Sequence, residues 1–227
     1  MKAMILAAGR GERMRPLTDA TPKPLLEVAG KALIVHHIEN LKRGGFEEII
    51  INVAHLGEQI MNALGDGSRW GVKILYSDEQ KEGGLETLGG IANAMPLLGE
   101  EPFLVVNADI FCDYAFDPAF NLGEKMAHLV LVPNPEHNKK GDFSLAGSEV
   151  CNEGENMLTF SGIAYYNATL FKNIAPGKAP LAPLLREAVE KNSVSGEAFT
   201  KEWHDIGTPK RLQEVNNETC NTPTPKP

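Results

Sequence analysis

The sequence predicts an α/β fold with a doubly wound, largely parallel sheet that becomes mixed toward its end, and three observations carry that expectation. Short β-rich apolar runs alternate with stretches of helical spacing as far as residue 133. Glycines close the helical stretches, as helix-ending residues do. From about residue 141 the alternation stops and strand-like runs follow one another, which signals antiparallel pairing.

In chain order, "KAMILA" (2–7) reads as the first strand, followed by "EIIINVA" (48–54), "VKILYS" (72–77), "PFLVVNAD" (102–109) and "AHLVLVP" (127–133). Between them "ALIVHHIENLKRGG" (32–45), "GEQIMNALGDG" (57–67) and "LETLGGIANAMPLLG" (85–99) read as helices, each ending at glycine. Later, "GDFSL" (141–145) and "LTFSGIAYYN" (158–167) read as antiparallel strands, while "PLAPLLREAVEKN" (180–192) and "TPKRLQEVNNE" (208–218) read as helices. Residues 1–218 show no repeat or linker and are expected to form one domain. The closing "TCNTPTPKP" (219–227), proline-rich and weakly apolar, is expected to be a disordered tail.

At 227 residues the chain is long enough to bury a core without staples, and 42% hydrophobic with 23% charged residues is ordinary for a soluble globular protein. A net charge of −8 argues against nucleic acid, whose phosphates select for excess Lys and Arg. Cys112, Cys151 and Cys220 are odd in number and lack a CxxC spacing, so neither a disulfide framework nor a zinc site is supported and a reducing cytoplasm is expected. The apolar run Ala3–Ala8 is too short for a leader or a span, so no membrane partner is expected. Oligomeric state is not legible in these features.

Against that acidic background, residues 6–31 hold Arg10, Arg13, Arg15, Lys23 and Lys31 against Glu12, Asp19 and Glu27. This loop follows the first strand, where open α/β sheets bind ligands. Met14 stands where the dinucleotide fingerprint needs its third glycine, and GxxxxGK[ST] is absent. Gly9 and Gly11 nonetheless let backbone N–H groups approach a phosphate, Arg13 and Arg15 can fork onto its oxygens, and Pro16, Pro22 and Pro24 stiffen the connection. The bland alternative is a solvated basic turn with ion pairs to Glu12 and Asp19. Arg10 and Lys31 are read as solvated charges.

Asn107 and Asp109 end a buried strand at the same edge, where a carboxylate beside a polyphosphate suits magnesium or merely shapes a turn. Asp205 precedes Gly207, with Thr208 and Pro209 placed as helix cap and first helical residue, and has the same two readings. His36, His37 and His204 lack metal-ligand spacing, and His37 is read as non-catalytic. The glycines of "EGGLETLGGIANAMP" can bring backbone close to a ligand, or simply connect a strand to a helix.

The stretch "LAAGRGERMRPLTDATPKPL" resembles the signature of the sugar-1-phosphate nucleotidyltransferases: a Gly-rich loop, an Arg before a Pro, and a Lys between prolines. The order of motifs over residues 1–217 is most similar to the N-acetylmuramate-1-phosphate uridylyltransferases. The resemblance implies a Rossmann-like, GT-A-like single domain that transfers a nucleotidyl group from a nucleoside triphosphate, UTP favoured, to a sugar-1-phosphate in cell-wall recycling. It implies that Ala8, Gly9, Gly11, Glu12, Arg13 and Lys23 bind the nucleotide with Gly84 and Glu86 at the base, Lys23 and Arg13 being catalytic. It further implies Mg²⁺ on Asp109 and Asp205, and Asn107, Gly141 and Glu153 near the sugar phosphate, Glu153 having the equal alternative of a charge that solubilises its loop.

The sequence departs from the family at Glu12, where many members have Thr, and at Leu88, where Gly or Ala is frequent and the pocket shape is implied to change. "SEVCNEGENMLTFSGI" lacks the Glu-Lys-Pro element of thymidylyl- and many guanylyltransferases. Mannose-1-phosphate guanylyl-, glucose-1-phosphate thymidylyl- and phosphocholine cytidylyltransferases share the loop and remain alternatives. A catalytically silent regulatory subunit is another, opposed by the joint presence of Lys23, Asp109 and Asp205. A phosphate monoester has its second pKa at about 6, so the attacking group needs no general base, consistent with the lack of a Ser-His-Asp or Cys-His arrangement.

Overall fold

The computed structural model describes residues 1–221, with backbone alone for Cys220 and Asn221. The chain runs β1 (Lys2–Leu6), a hairpin of β2 (Glu27–Val28) and β3 (Lys31–Ala32), α1 (Leu33–Gly44), β4 (Glu48–Val53), α2 (Gly57–Leu64), β5 (Lys73–Asp78) and α3 (Glu86–Leu98). It continues through β6 (Phe103–Asn107), β7 (Ile110–Cys112), β8 (Ala127–Val132), β9 (Phe143–Ala146), β10 (Glu149–Cys151) and β11 (Met157–Tyr166). Last come α4 (Ala182–Glu190), β12 (Val194–Ala198), β13 (Trp203–Asp205) and α5 (Pro209–Asn221).

Nine strands form one mixed sheet in the order β5-β4-β1-β6-β11-β8-β12-β10-β9. β5, β4, β1 and β6 are parallel neighbours, with Ile5 paired to Ile51 on one side and Val106 on the other. β11 then inserts antiparallel between β6 and β8, and β12 lies parallel to β8.

Alternation along each strand sends successive side chains to opposite faces, so both faces need cover. On one face Ile5, Ile51 and Val106 pack with Ile34 and Ile38 of α1 and Ile60 of α2. On the other, Met4, Ile50 and Val105 pack with Ile91 of α3 and Leu185 of α4. The sheet is therefore doubly wound, and truncating any of its fully buried isoleucines to alanine should destabilise it by about 2–5 kcal/mol.

Several short elements were not legible in the sequence. β7 and β13 pair with each other over three residues each, too few to show a period. β12, "VSGEA", contains Gly and Glu and lacks an apolar run, yet parallel pairing to β8 holds it. α5 extends through Asn221, so the first three residues of the expected tail are helical, and the remainder of that expected tail lies outside the described residues. Among the described residues no helix is long and apolar enough to cross a membrane. Cys112 and Cys151 are free thiols, and burial pushes the Cys112 thiol up to about 11.

Candidate active site

Four parallel strands deliver their carboxyl ends to one edge, and a cavity of about 650 Å³ opens there. The loop after β1 supplies Ala8, Gly9, Gly11, Glu12 and Arg13, with Lys23 behind them. β4 supplies Asn52, the loop before α3 supplies Gly84, the first residue of α3 is Glu86, and the end of β6 and the turn after it supply Asn107 and Asp109. Ten expected site residues thus share one cavity.

The loop after β1 is folded by its own chemistry. Gly11 has φ +63°, and a Cβ there would meet Thr18 at 2.9 Å and Lys23 at 3.3 Å, so only glycine lets the loop close on Lys23. The Gly11 carbonyl accepts from the Thr18 hydroxyl at 2.7 Å and the Met14 N–H at 2.8 Å. Met14, fully buried against Val28, Leu33, Ile206 and Val215, anchors the loop in a small core of its own. A methionine where a dinucleotide loop has glycine is thus an apolar plug.

The loop's cations divide. Lys23, with its side chain 11% exposed, sits 2.6 Å from Asp109 Oδ2. Arg10 and Arg13 line the cavity and make no ion pair among the described residues. Arg15 pairs with Asp19 at 3.3 Å in solvent and Lys31 pairs with Glu39, neither lining the cavity. Arg10, read as a solvated charge, belongs with the cavity group because the loop turns it toward Gly83, whose Cβ would lie 3.5 Å from Arg10 Nη2.

The second expected metal carboxylate is placed differently. β13 pairs with β7 so that Asp205 lies opposite Ile110, and Ile206 N–H donates to the Asp109 carbonyl at 2.9 Å. The two acids therefore leave neighbouring backbone positions. Asp205 Oδ2, however, accepts from Arg211 Nη1 at 2.9 Å and lies 3.1 Å from His137 Nε2, facing a second cavity of about 570 Å³. Gly207, two residues on, lines the first.

Gly141 and Glu153 lie outside both cavity linings. Gly141, at φ +70°, lies against Asn134 and Leu158, where a Cβ would approach both side chain and carbonyl to 2.9 Å. Glu153 is exposed on the turn after β10. Leu88 is buried in the α3 face of the core, and its N–H donates to the Ala179 carbonyl, so its size fills core instead of reshaping the cavity.

Sequence reasoning missed Asn52, Glu79 and Lys178. Asn52 sits inside a strand that reads as apolar, yet its Oδ1 accepts the Ala7 N–H at 2.7 Å and its Nδ2 donates to Glu79 at 2.8 Å. Burial raises the Glu79 carboxyl pKa, opposed by hydrogen bonds from Asn52 and the Leu85 N–H. Lys178, from a distant loop, reaches the cavity rim and pairs with Glu86 at 3.5 Å. Glu86 itself is held at φ +60°, a strained conformation for a side-chain-bearing residue. His37 is buried beside Ile110, and burial lowers its pKa to about 4. It is a neutral core residue at working pH.

The sequence profile described as Nucleotidyl transferase matches residues 2–222. The chain is 57% identical over 224 residues to an N-acetylmuramate alpha-1-phosphate uridylyltransferase of Neisseria meningitidis serogroup B, covering 95% of this chain and 96% of the relative. It is 30% identical over 223 residues to a mannose-1-phosphate guanylyltransferase catalytic subunit beta of Drosophila melanogaster, covering 92% of this chain and 60% of that one. In fold it superposes with TM-score 0.85 on a Bacillus anthracis chain assigned as a glucose-1-phosphate thymidylyltransferase, at 22% identity and covering 100% of this chain and 98% of that one. With the profile matching almost from end to end and one relative identical at more than half of the aligned positions, the chain belongs to the nucleotidyl transferase family.

Proposed function

We propose that the chain transfers a uridylyl group from UTP to N-acetylmuramate-1-phosphate, releasing pyrophosphate, as a cytoplasmic step in reuse of cell-wall sugar. The observation that carries this reading is the convergence of Lys23, Arg13 and Asp109 on one cavity at a parallel-sheet edge, in a chain 57% identical to a uridylyltransferase over 95% of its length.

Two anions must meet, so the barrier is electrostatic and geometric. A phosphate oxygen of the sugar substrate attacks the α-phosphorus in line, and pyrophosphate leaves with the bonding pair. Lys23, pinned by Asp109, is the buried cation that lowers the repulsion between attacking and α-phosphates. Arg13, without an ion-pair partner among the described residues, is free to fork onto the β- and γ-phosphates. N–H groups around Gly9 and Gly11 add fixed dipoles, while Gly84 and Glu86 face the base and Asn107 the sugar phosphate.

Asp109 would hold magnesium, which takes one or two protein carboxylates and completes its shell with phosphate oxygens and water, and Asp205, whose Oδ2 is taken up by Arg211, would offer only its Oδ1. Their support is the backbone adjacency across β7 and β13 and a hard-oxygen donor set. When bound, the ion supplies charge neutralisation and orientation of the phosphates.

Pyrophosphate release with purified protein and Mg²⁺, over a grid of nucleoside triphosphates and sugar-1-phosphates, tests the reading. UTP with N-acetylmuramate-1-phosphate should give the highest kcat/KM. Silence across every pair overturns enzymatic transfer, and preference for GTP with mannose-1-phosphate replaces the assigned substrates.

A further inference from the structure

Glu79 directly follows β5 and is fully buried, yet it does not line the cavity. Its Oε1 accepts from Asn52 Nδ2 at 2.8 Å, and its Oε2 accepts from the Leu85 N–H at 2.8 Å. Asn52 accepts the Ala7 N–H with its Oδ1 at 2.7 Å. Three hydrogen bonds therefore run unbroken from the loop after β1, across the end of β4, to the loop before α3. The Glu79 backbone adds to this grip, its carbonyl accepting from the Gly83 N–H at 3.0 Å while its N–H donates to the Val53 carbonyl at 2.7 Å.

A buried carboxylate is unfavourable unless its oxygens are hydrogen-bonded, and no Lys or Arg pairs with Glu79 among the described residues. An apolar side chain of similar size would fill the space between β5 and α3 without that desolvation. What it would lack is a pair of acceptors, one for the arm from each loop. α3 also comes unusually close here, since a Cβ on Gly90 would lie 2.8 Å from both Asn52 Nδ2 and Glu79 Oε1. Only a residue without a side chain leaves the relay intact.

We propose that Glu79 is a positioning residue which, through Asn52, fixes the separation between the triphosphate-side loop and the base-side loop of the cavity. The inference rests on the nucleotide reading of the cavity. It assigns nucleotide affinity to a group that touches neither phosphate nor base.

UTP binding by calorimetry in the presence of Mg²⁺, without sugar phosphate, is the test, on the wild type, E79Q, N52D and the double variant N52D/E79Q. In E79Q an amide NH₂ must face either Asn52 Nδ2 or the Leu85 N–H, leaving donors opposed. In the double variant the introduced glutamine donates to the introduced aspartate and still accepts from the Leu85 N–H, while the second aspartate oxygen accepts from the Ala7 N–H. UTP should bind E79Q more weakly by on the order of tenfold. The KM for N-acetylmuramate-1-phosphate at saturating UTP should stay within about twofold, the spread of a neutral surface change. The double variant should recover most of the lost affinity.

Wild-type affinity in E79Q, or a double variant as weak as E79Q, overturns the inference. If E79Q does not fold, the double variant against N52D decides, because N52D alone sets two carboxylates together: recovery in the double variant supports the relay and its absence overturns it. A wild type that binds no nucleoside triphosphate would instead overturn the nucleotide reading itself.

Discussion

In residues 1–112 four parallel strands bring every carboxyl end to the same edge of the sheet, whereas from residue 127 onward neighbouring strands run antiparallel except for β12 beside β8. The first region gathers Gly9, Arg13, Lys23, Gly84, Asn107 and Asp109 into one cavity. The second disperses its candidates: Asp205 turns toward Arg211 and His137, Gly141 packs against Leu158, and Glu153 stands on an exposed turn. In a parallel region, position after a strand is enough to name the edge a residue occupies. In an antiparallel region the same reasoning needs the strand order, which lies between elements distant in sequence.

The parallel edge depends most on the ion pair between Lys23 and Asp109. Lys23→Ala or Asp109→Asn should lower turnover by roughly 10² to 10³-fold with the fold intact, measured as pyrophosphate release alongside circular dichroism. Near-normal turnover in both would remove the parallel edge from the mechanism.

Next in size is the pH response of the core under that edge. His37 has its pKa lowered by burial from 6.5 to about 4, so between those values the unfolded chain binds the extra proton. Stability is therefore full above pH 6.5 and declines as pH falls through the window, by about 3 kcal/mol when the fall is complete. Urea midpoints from pH 7 to pH 4 should show that decline, and His37→Leu should flatten it.

In the antiparallel region, Gly141→Ala should destabilise by about 1–2 kcal/mol, since alanine must adopt a positive φ against two close neighbours, with little change in either KM. Calorimetric unfolding together with steady-state kinetics separates the two effects. A sugar-phosphate KM raised tenfold without loss of stability would return Gly141 to the site. Smallest of all, Glu153→Ala should leave turnover and both KM values within about twofold, as befits an exposed turn residue outside either cavity.

Much of this protein is decided by local pattern. The parallel strands, their helices and the basic loop after β1 follow from apolar period, helix-ending glycines and the carboxyl-edge rule, and with them Arg13, Lys23 and Asp109. The sequence alone also names the family, because the loop's glycines, arginines and lysine hold a specific order and spacing. Tertiary structure decided the rest. It paired three-residue strands so that the Asp205 backbone lies beside that of Asp109 while the Asp205 carboxylate turns to Arg211, turned Arg10 inward, and made a core plug of Met14. It also joined Asn52 to Glu79 across 27 residues, a hydrogen bond between two strand ends that no local window contains. Periodicity reports which face of an element is buried, but a polar contact between elements depends on how they are laid side by side, and that is settled only when the sheet closes around its core.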